Sequence, residues 1–334
     1  RYRLGASASW EIDLWGRVRG MAKRDRLLAQ RTTDLFYDVR LSMETNLARQ
    51  YLALRSARNE MVILNEAIRV REDDLRLQVA RLELGSGVEV DVSRSRVALS
   101  TAQAAAEAAS RSIGKLEHAI AVLVGVAPSE LEPLSNKSST LPRIPPGVPS
   151  ALLAQRPDLR AAEKQLRASA LQVGVRNVDF LPRISLTGSG GVASLNTSSL
   201  FQSDSTLFDL GPEIDIPLFQ AGTRGSAVLQ AEAAWREAVA RYRSALLVAV
   251  REVDDALLDL QSLARELKIQ KRAVSAATDT SEIARLRHER GLASYFEVVE
   301  AERDRLTAKR AENTLQGEQL AATVGLIQAL GGTW

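Results

Sequence analysis

The sequence has 334 residues, a formal net charge of +3 and a pI near 9.3, with charged residues at 25% and well mixed in sign, too small a basic excess to argue for a nucleic-acid partner. The absence of cysteine excludes a disulfide framework and a thiolate metal site. Aromatics at 4%, with Ala, Leu, Arg and Glu dominant, favour long helices over a compact mixed core.

The chain opens at Arg1 within an alternating pattern, with neither Met nor a signal peptide. It is expected to lack its natural N-terminus, so that a leader or lipid-anchor cysteine would lie upstream. Tyr2, Leu4, Ala6, Ala8, Trp10, Ile12 and Leu14 alternate with Arg3, Gly5, Ser7, Ser9, Glu11 and Asp13. This period of two predicts a strand with one apolar and one polar face. A Gly/Arg turn follows at Gly16–Gly20, then a Pro-free helical run from Met21 to Leu84. At about 1.5 Å per residue such a run reaches roughly 100 Å. Its apolar seam is read as Leu47, Tyr51, Leu54, Arg58, Met61, Asn65 and Ile68, with polar interruptions. Gly85-Ser86-Gly87-Val88 breaks the run, and a returning helix is expected from about Val90 to Leu123. The longest apolar stretch, Ala119 to Ala127, falls far short of the roughly 20 residues a spanning helix needs.

Pro128 to Pro149 is rich in Pro and Ser without period and reads as a connector. A helix from Leu152 to Val178 follows, with Pro157 near its start, and is expected to flank the second long helix. Phe180-Leu181-Pro182 ends it and begins a strand, in which Ile184 and Leu186 alternate with Ser185, Thr187 and Ser189. Gly188–Gly191 with Asn196–Ser199 reads as a hairpin loop, and Phe208 to Leu218 as a third alternating strand. Long strands with an apolar and a polar face form the transmembrane β-barrel pattern, weak singly and stronger in series. Ser226 to Arg290 is the second long helix, with a seam at Leu246, Val250, Val253, Leu257, Leu260, Ala264 and Leu267. Gly291-Leu292-Ala293-Ser294 breaks it before a returning helix from about Phe296 to Leu330.

The second half repeats the first. Glu11-Ile12-Asp13-Leu14 pairs with Glu213-Ile214-Asp215-Ile216, and Leu84–Val92 aligns with Arg290–Val298 at an offset of 206 that persists to Val124-Gly125 on Leu330-Gly331. The unit is strand, long helix, tip and returning helix, occurring twice. The expected divisions are 1–15, barrel strand; 16–127, first helical hairpin; 128–150, connector; 151–181, helix; 182–219, barrel hairpin; and 220–334, second helical hairpin. Catalytic constellations are missing from the pattern: His118 and His288 lie far apart, and Gly188-Ser189-Gly190-Gly191 opens no helix. Asp73-Asp74 and Asp254-Asp255 read as solvated helix faces. Neither an enzyme nor a cofactor is expected.

The Glu-Ile-Asp strand ends, the Gly/Arg turns, the two tips, the segment Val148–Glu163, Phe180–Thr187 and the terminal Ala329–Trp334 together resemble the TolC-type outer-membrane efflux ducts, in particular the OprM/NodT branch serving RND multidrug pumps. The resemblance covers the whole chain. It implies a mainly α fold with membrane β: a homotrimer with a long α-helical barrel and a β-barrel, four strands per full protomer and three visible here. Four strands cannot close a barrel, whose minimum is about eight. Its implied partners are two further copies, a periplasmic adaptor, an inner-membrane RND transporter and outer-membrane lipids, and its implied place is the outer membrane reaching into the periplasm. Tyr2, Trp10, Phe208 and Phe219 would then face lipid or its interface.

Carried over from that family, Arg287 is the tip arginine and Asp91 its carboxylate on the other hairpin. Phe296 is the constricting apolar ring, Glu300 the acidic ring and Arg303 its neighbour, while His288 replaces a gate tyrosine. Gly85, Ser86, Gly87, Val88, Gly291, Leu292, Ala293 and Ser294 are the expected adaptor contacts. Glu300 and Arg303 also read as a plain i,i+3 surface pair, and His288 beside Glu289 as solvated. A type I protein-secretion duct, a metal-efflux duct and, from a different class, a soluble coiled-coil scaffold remain alternatives.

Overall fold

A computed structural model describes residues 2–134, 155–220 and 222–332. The order is β1 (Tyr2–Glu11), α1 (Arg17–Glu83), α2 (Glu89–Val124), a 3-10 turn (Pro128–Glu130), α3 (Pro157–Val178), β2 (Arg183–Ser194), β3 (Thr206–Asp215), α4 (Thr223–Glu289) and α5 (Tyr295–Ala329). The expected connector from residue 135 onward and the expected helix start at Leu152 lie outside the described residues. Among the described residues, no helix is long and apolar enough to cross a membrane. The chain divides into two compact units, one of residues up to Asp38 with Pro157–Val248, the other of Val39–Arg156 with Ala249 onward.

The first unit holds the sheet, antiparallel in the order β1-β2-β3. The register stacks Ser7–Ser189–Asp209 and Glu11–Ser185–Glu213 on one face and Ala6–Gly190–Phe208 and Trp10–Leu186–Pro212 on the other. Alternation therefore separates a polar from an apolar face across all three strands. β1 stops at Glu11, short of the expected Leu14, because Asp13 turns to cap α1: its carboxylate accepts from the Val18 and Arg19 amides, each at 3.0 Å. β2 runs through Gly188–Gly191 to Ser194, so the glycines expected in a loop are ladder residues. With Cβ-free positions on both sides, Gly5 and Gly191 pair directly, and a side chain at Gly191 would meet the Leu4 carbonyl at 2.4 Å.

α3 flanks the beginning of α1, while Arg156, just ahead of it, meets Glu252 of the second long helix, the expected neighbour, at 2.8 Å. Asp34 of α1, 1% exposed, takes Arg160 at 2.9 Å and Lys164 at 2.5 Å, Arg24 bonds Gln172, and Gly20 leaves room for Val175. A buried carboxylate needs such cations, and α3 supplies both from successive turns.

The second unit holds both helical hairpins. Val253, Leu326, Ala329 and Leu330 form its apolar cluster, with Ala256, Leu257 and Leu260 packed against it. The expected α4 seam holds at Val253, Leu257, Leu260 and Leu267 but not at Leu246, Val250 or Ala264, which are exposed. In α1 the buried apolar residues are Leu52, Leu54, Leu64 and Ala67, whereas Asn65 is exposed. That ridge differs from the expected one because α1 packs on two helices at once. Toward α2 it sends Arg58 to Glu117 at 2.8 Å and Arg71 to the Ala98 carbonyl at 3.0 Å. Toward α5 it presents the Ser56 carbonyl to Asn313 at 3.0 Å, Glu60 to Arg310 at 2.5 Å, and Glu66 to Arg305 at 2.9 Å and Lys309 at 3.2 Å.

The repeat is visible in the backbone. Gly16, Gly85 and Gly125 have φ of 77°, 69° and 86°, and their offset partners Gly222, Gly291 and Gly331 have 79°, 72° and 88°. Each pair marks the same event: chain entry to a long helix, the tip, and the end of the returning helix.

Candidate functional site

The two tips lie in the second unit and end their long helices by the same device. At the first, the Ser86 amide reaches the Arg81 carbonyl at 2.9 Å and the Gly85 amide the Leu82 carbonyl at 3.0 Å. At the second, Leu292 reaches Arg287 at 2.8 Å and Gly291 reaches His288 at 2.9 Å. This is the Schellman closure, which needs a left-handed residue, supplied by Gly85 and Gly291. Gly87 is required for a different reason, since a Cβ there would stand 2.8 Å from the Leu82 nitrogen. Restarting the helices differs between the copies. The Glu297 amide bonds the Ser294 side chain and carbonyl, whereas Val88 offers no side-chain cap. Leu84, Val88 and Leu292 are left exposed at the tips.

Below the tips, a polar network joins the hairpins. Arg81 donates to His288 Nε2 at 3.1 Å, and His288 Nδ1 meets the Ala293 carbonyl at 3.0 Å. The carbonyl can only accept and the guanidinium only donate, so the imidazole carries its proton on Nδ1. The Tyr295 ring stands edge-on to His288 at 5.3 Å, and its hydroxyl bonds Asp74. Burial first, then that carboxylate partner, pushes the Tyr295 phenol well above its ordinary range. Asp74 is itself buried and also accepts from Ser95 at 2.9 Å and Gln78 at 3.3 Å. The solvated-face reading thus fits exposed Asp73, bonded to Arg76, but fails for Asp74, whose side chain α2 and α5 cover.

The second hairpin contains the same kind of pair with roles exchanged. Asp74 on the outgoing helix binds Ser95 on the returning one, 21 residues on; Ser281 on the outgoing helix binds Glu302 on the returning one at 2.7 Å, again 21 residues on. Burial opposes ionisation of Glu302, but hydrogen bonds from Arg305 and Ser281 override it and hold its carboxyl below the ordinary range.

The residues expected at a gate are only partly brought together. Arg287 pairs with Glu297 of its own hairpin at 3.4 Å and with the Leu292 carbonyl at 3.4 Å, and Asp91 pairs with Arg94 at 3.8 Å. The expected tie between Asp91 and Arg287 is therefore replaced within the chain by local pairs, because each side chain has an opposite charge nearer on its own hairpin. Close to the tips, the link between hairpins falls to Arg81–His288 and Asp74–Tyr295, beyond the Glu66–Arg305 end of the α1–α5 seam. Glu300 and Arg303 do form the i,i+3 pair, at 3.5 Å. Phe296 is 60% exposed and borders a cavity of about 1010 Å3 together with Asp91, His288, Glu300 and Arg303. Arg81, Tyr295 and Glu297 escaped the sequence reading, which took Asp74 only for a solvated surface residue. The offset of 206 carries the signal for two of them, since it sets Arg81 on Arg287 and Asp91 on Glu297. Among the described residues no cluster of metal-binding side chains is found.

A family model described as outer membrane efflux protein matches residues 1–126 and 148–332. A solvent efflux pump outer membrane protein of Pseudomonas putida, SrpC, is 30% identical over 100% of this chain and 72% of its own length. The cation efflux system protein CusC of Escherichia coli is 28% identical over 100% of this chain and 73% of its own. Among solved structures, the outer-membrane channel OprN gives a TM-score of 0.90 at 29% identity, covering 99% of this chain and 75% of that one. The CmeC outer membrane channel of Campylobacter jejuni gives 0.91 at 25% identity, covering 99% and 71%. With two-faced strands, paired helical hairpins and these likenesses along its length, the chain belongs to the outer membrane efflux proteins and is the outer-membrane channel component of an efflux pump, extending into the periplasm.

Proposed function

We propose that three copies of this chain form one passive exit duct, with a β-barrel in the outer membrane and a helical tube below it. In this reading a periplasmic adaptor docks on Gly85–Val88 and Gly291–Ser294, and an inner-membrane RND transporter supplies the energy. The apolar sheet face (Leu4, Trp10, Phe208, Leu210) meets lipid, and the polar face lines water. Val62, Val97, Val122, Leu247 and Leu258, all exposed on the helices of one chain, are read as contacts with the neighbouring copies. The similar proteins are named for substrates as unlike as solvents and cations, which supports a duct that leaves selection among drugs and other small molecules to the transporter.

The observation that carries a gate at the tips is the polar tie across the hairpins, Arg81–His288 with Asp74–Tyr295. In the closed arrangement it holds the second hairpin on the first, and three copies of Phe296 and Glu300 crowd the axis. Asp91 and Arg287, held by Arg94 and Glu297, shape each tip, and Arg303 tempers the charge of Glu300. Adaptor binding opens the ring by favouring the separated hairpins. Two hydrogen bonds contribute about 1 kcal/mol each, so Arg81→Ala with Tyr295→Phe raises the open-to-closed ratio by a factor of about 10 to 30. Single-channel conductance in a planar bilayer reads this out. Open probability no greater than wild type removes the tie from the mechanism, and unchanged vancomycin entry in cells carrying Phe296→Ala removes the ring.

A further inference from the structure

His288 sits where the second long helix meets the first hairpin, and both of its ring nitrogens are committed. Nε2 accepts from the Arg81 guanidinium of α1 at 3.1 Å, and Nδ1 donates to the Ala293 carbonyl at 3.0 Å. That pattern fits only the neutral ring. A second proton would go to Nε2, where it faces a group that has donors but no acceptor and carries its own positive charge. One proton therefore turns the hydrogen bond into a contact between two cations.

The charges around the ring offer that proton little compensation. On α1, Arg71 joins Arg81 on the wall of the tip cavity, and the buried Asp74 already accepts from Ser95, Gln78 and Tyr295. On α2, Asp91 is taken by Arg94, and on α5 Glu300 is taken by Arg303. Arg287 of the ring's own helix holds Glu297. Arg285 is near enough to Tyr295 to act on its phenol, and Glu289 and Arg290 are exposed. With Tyr295 edge-on at 5.3 Å and both nitrogens spent, none of these carboxylates bonds the imidazole.

We propose that His288 is an acid-sensitive latch: uptake of a proton by its imidazole breaks the Arg81 bond and shifts the tips toward the separated arrangement. The latch rests on the tie across the hairpins proposed above and adds the condition that releases it. The closed arrangement needs the neutral ring, whereas separated hairpins leave Nε2 free to take a proton from water, so acid favours opening. A free imidazole titrating near 6.5 is about ten to one protonated at pH 5.5 and about one to ten at pH 7.5. The shift between those two conditions is therefore about tenfold per subunit.

Open-to-closed ratios of the protein in planar bilayers at pH 7.5 and 5.5 give the test, with His288→Gln as the comparator. The glutamine amide still accepts and donates but takes up no proton in this range. Other acids of the tip respond alike in both proteins, so their effect cancels. The acid-over-neutral quotient is expected to be about tenfold or more larger in wild type than in His288→Gln. Arg81→Gln is expected to lose the difference as well, because an amide can accept from a protonated imidazole, and it stands in if His288→Gln does not assemble. A wild-type quotient no larger than that of the assembled variants overturns the latch. It leaves the tie itself standing, which Arg81→Ala with Tyr295→Phe tests at pH 7.5 alone.

Discussion

At the scale of single residues, the tips are governed by two glycines whose roles are conformational. Gly291 has φ of +72° with nothing within 4 Å of a notional Cβ, so substitution strains the backbone without a clash. Gly291→Ala is expected to cost about 1 kcal/mol, and Gly291→Asn less, because Asn tolerates the left-handed region. Thermal melts of the two variants test this, and equal melting temperatures would place the cost elsewhere. Such glycines were legible in the sequence, since a Gly between two helical runs has few other uses. The tie across the hairpins was not. Asp74 and Asp73 are adjacent and chemically identical, and only the arrival of Ser95 and Tyr295 from other helices makes one buried and the other solvated. Likewise Arg287 has Glu297 within reach on its own hairpin, a competition that the spacing of Asp91 and Arg287 does not reveal.

At the scale of elements, the α1–α5 seam is more polar than a coiled coil of this length suggests. Its centre is Glu66–Arg305–Glu302, in which Arg305 and Glu302 side chains are 11% and 7% exposed. Removing the cation leaves a buried carboxylate, so Arg305→Ala is expected to destabilise by about 3 kcal/mol or more, whereas Arg241→Ala on the exposed face costs under about 1 kcal/mol. The folded-state carboxyls of Glu302 and Glu66 lie below the ordinary value of 4.5 because their cation partners overcome burial. Depressed carboxyls contribute stability that is present above that value and lost as pH falls through the folded range. Glu302→Gln should therefore flatten the acid limb of the stability profile below about pH 4.5. An acid limb identical to wild type in denaturant titrations would show that other carboxylates set it. Sequence periodicity located both long helices to within a few residues but misplaced the α1 ridge, because a helix gripped from two sides buries two stripes rather than one.

At the scale of the whole molecule, the sheet sets the minimum assembly. Three strands leave two open edges, and an edge strand in lipid has no water to satisfy its backbone. Purified in detergent, the protein is expected to have the mass of three copies and to shift in apparent size when boiled before electrophoresis. A stable, fully folded monomer in detergent would contradict the assembly proposed here. The two-faced alternation of β1 and β3 announced a membrane barrel from sequence alone. The position of α3 was harder, since its cationic face suits any buried acid, and the deciding acid, Asp34, lies well over a hundred residues away on α1.

The exchange of serine and carboxylate between the hairpins bears on how the chain finds its own topology. Four helices built from a duplicated pattern offer many near-equivalent ways to pair. If the returning helix of the second copy settled where that of the first belongs, Asp74 would lose Ser95 and come to lie near Glu302, setting two carboxylates together in a buried position. The reciprocal error would leave Ser281 without its acid. Arg305 sits on the same helix as Glu302 and would travel with it, so the loss common to both errors is a serine–carboxylate hydrogen bond that only the correct pairing makes.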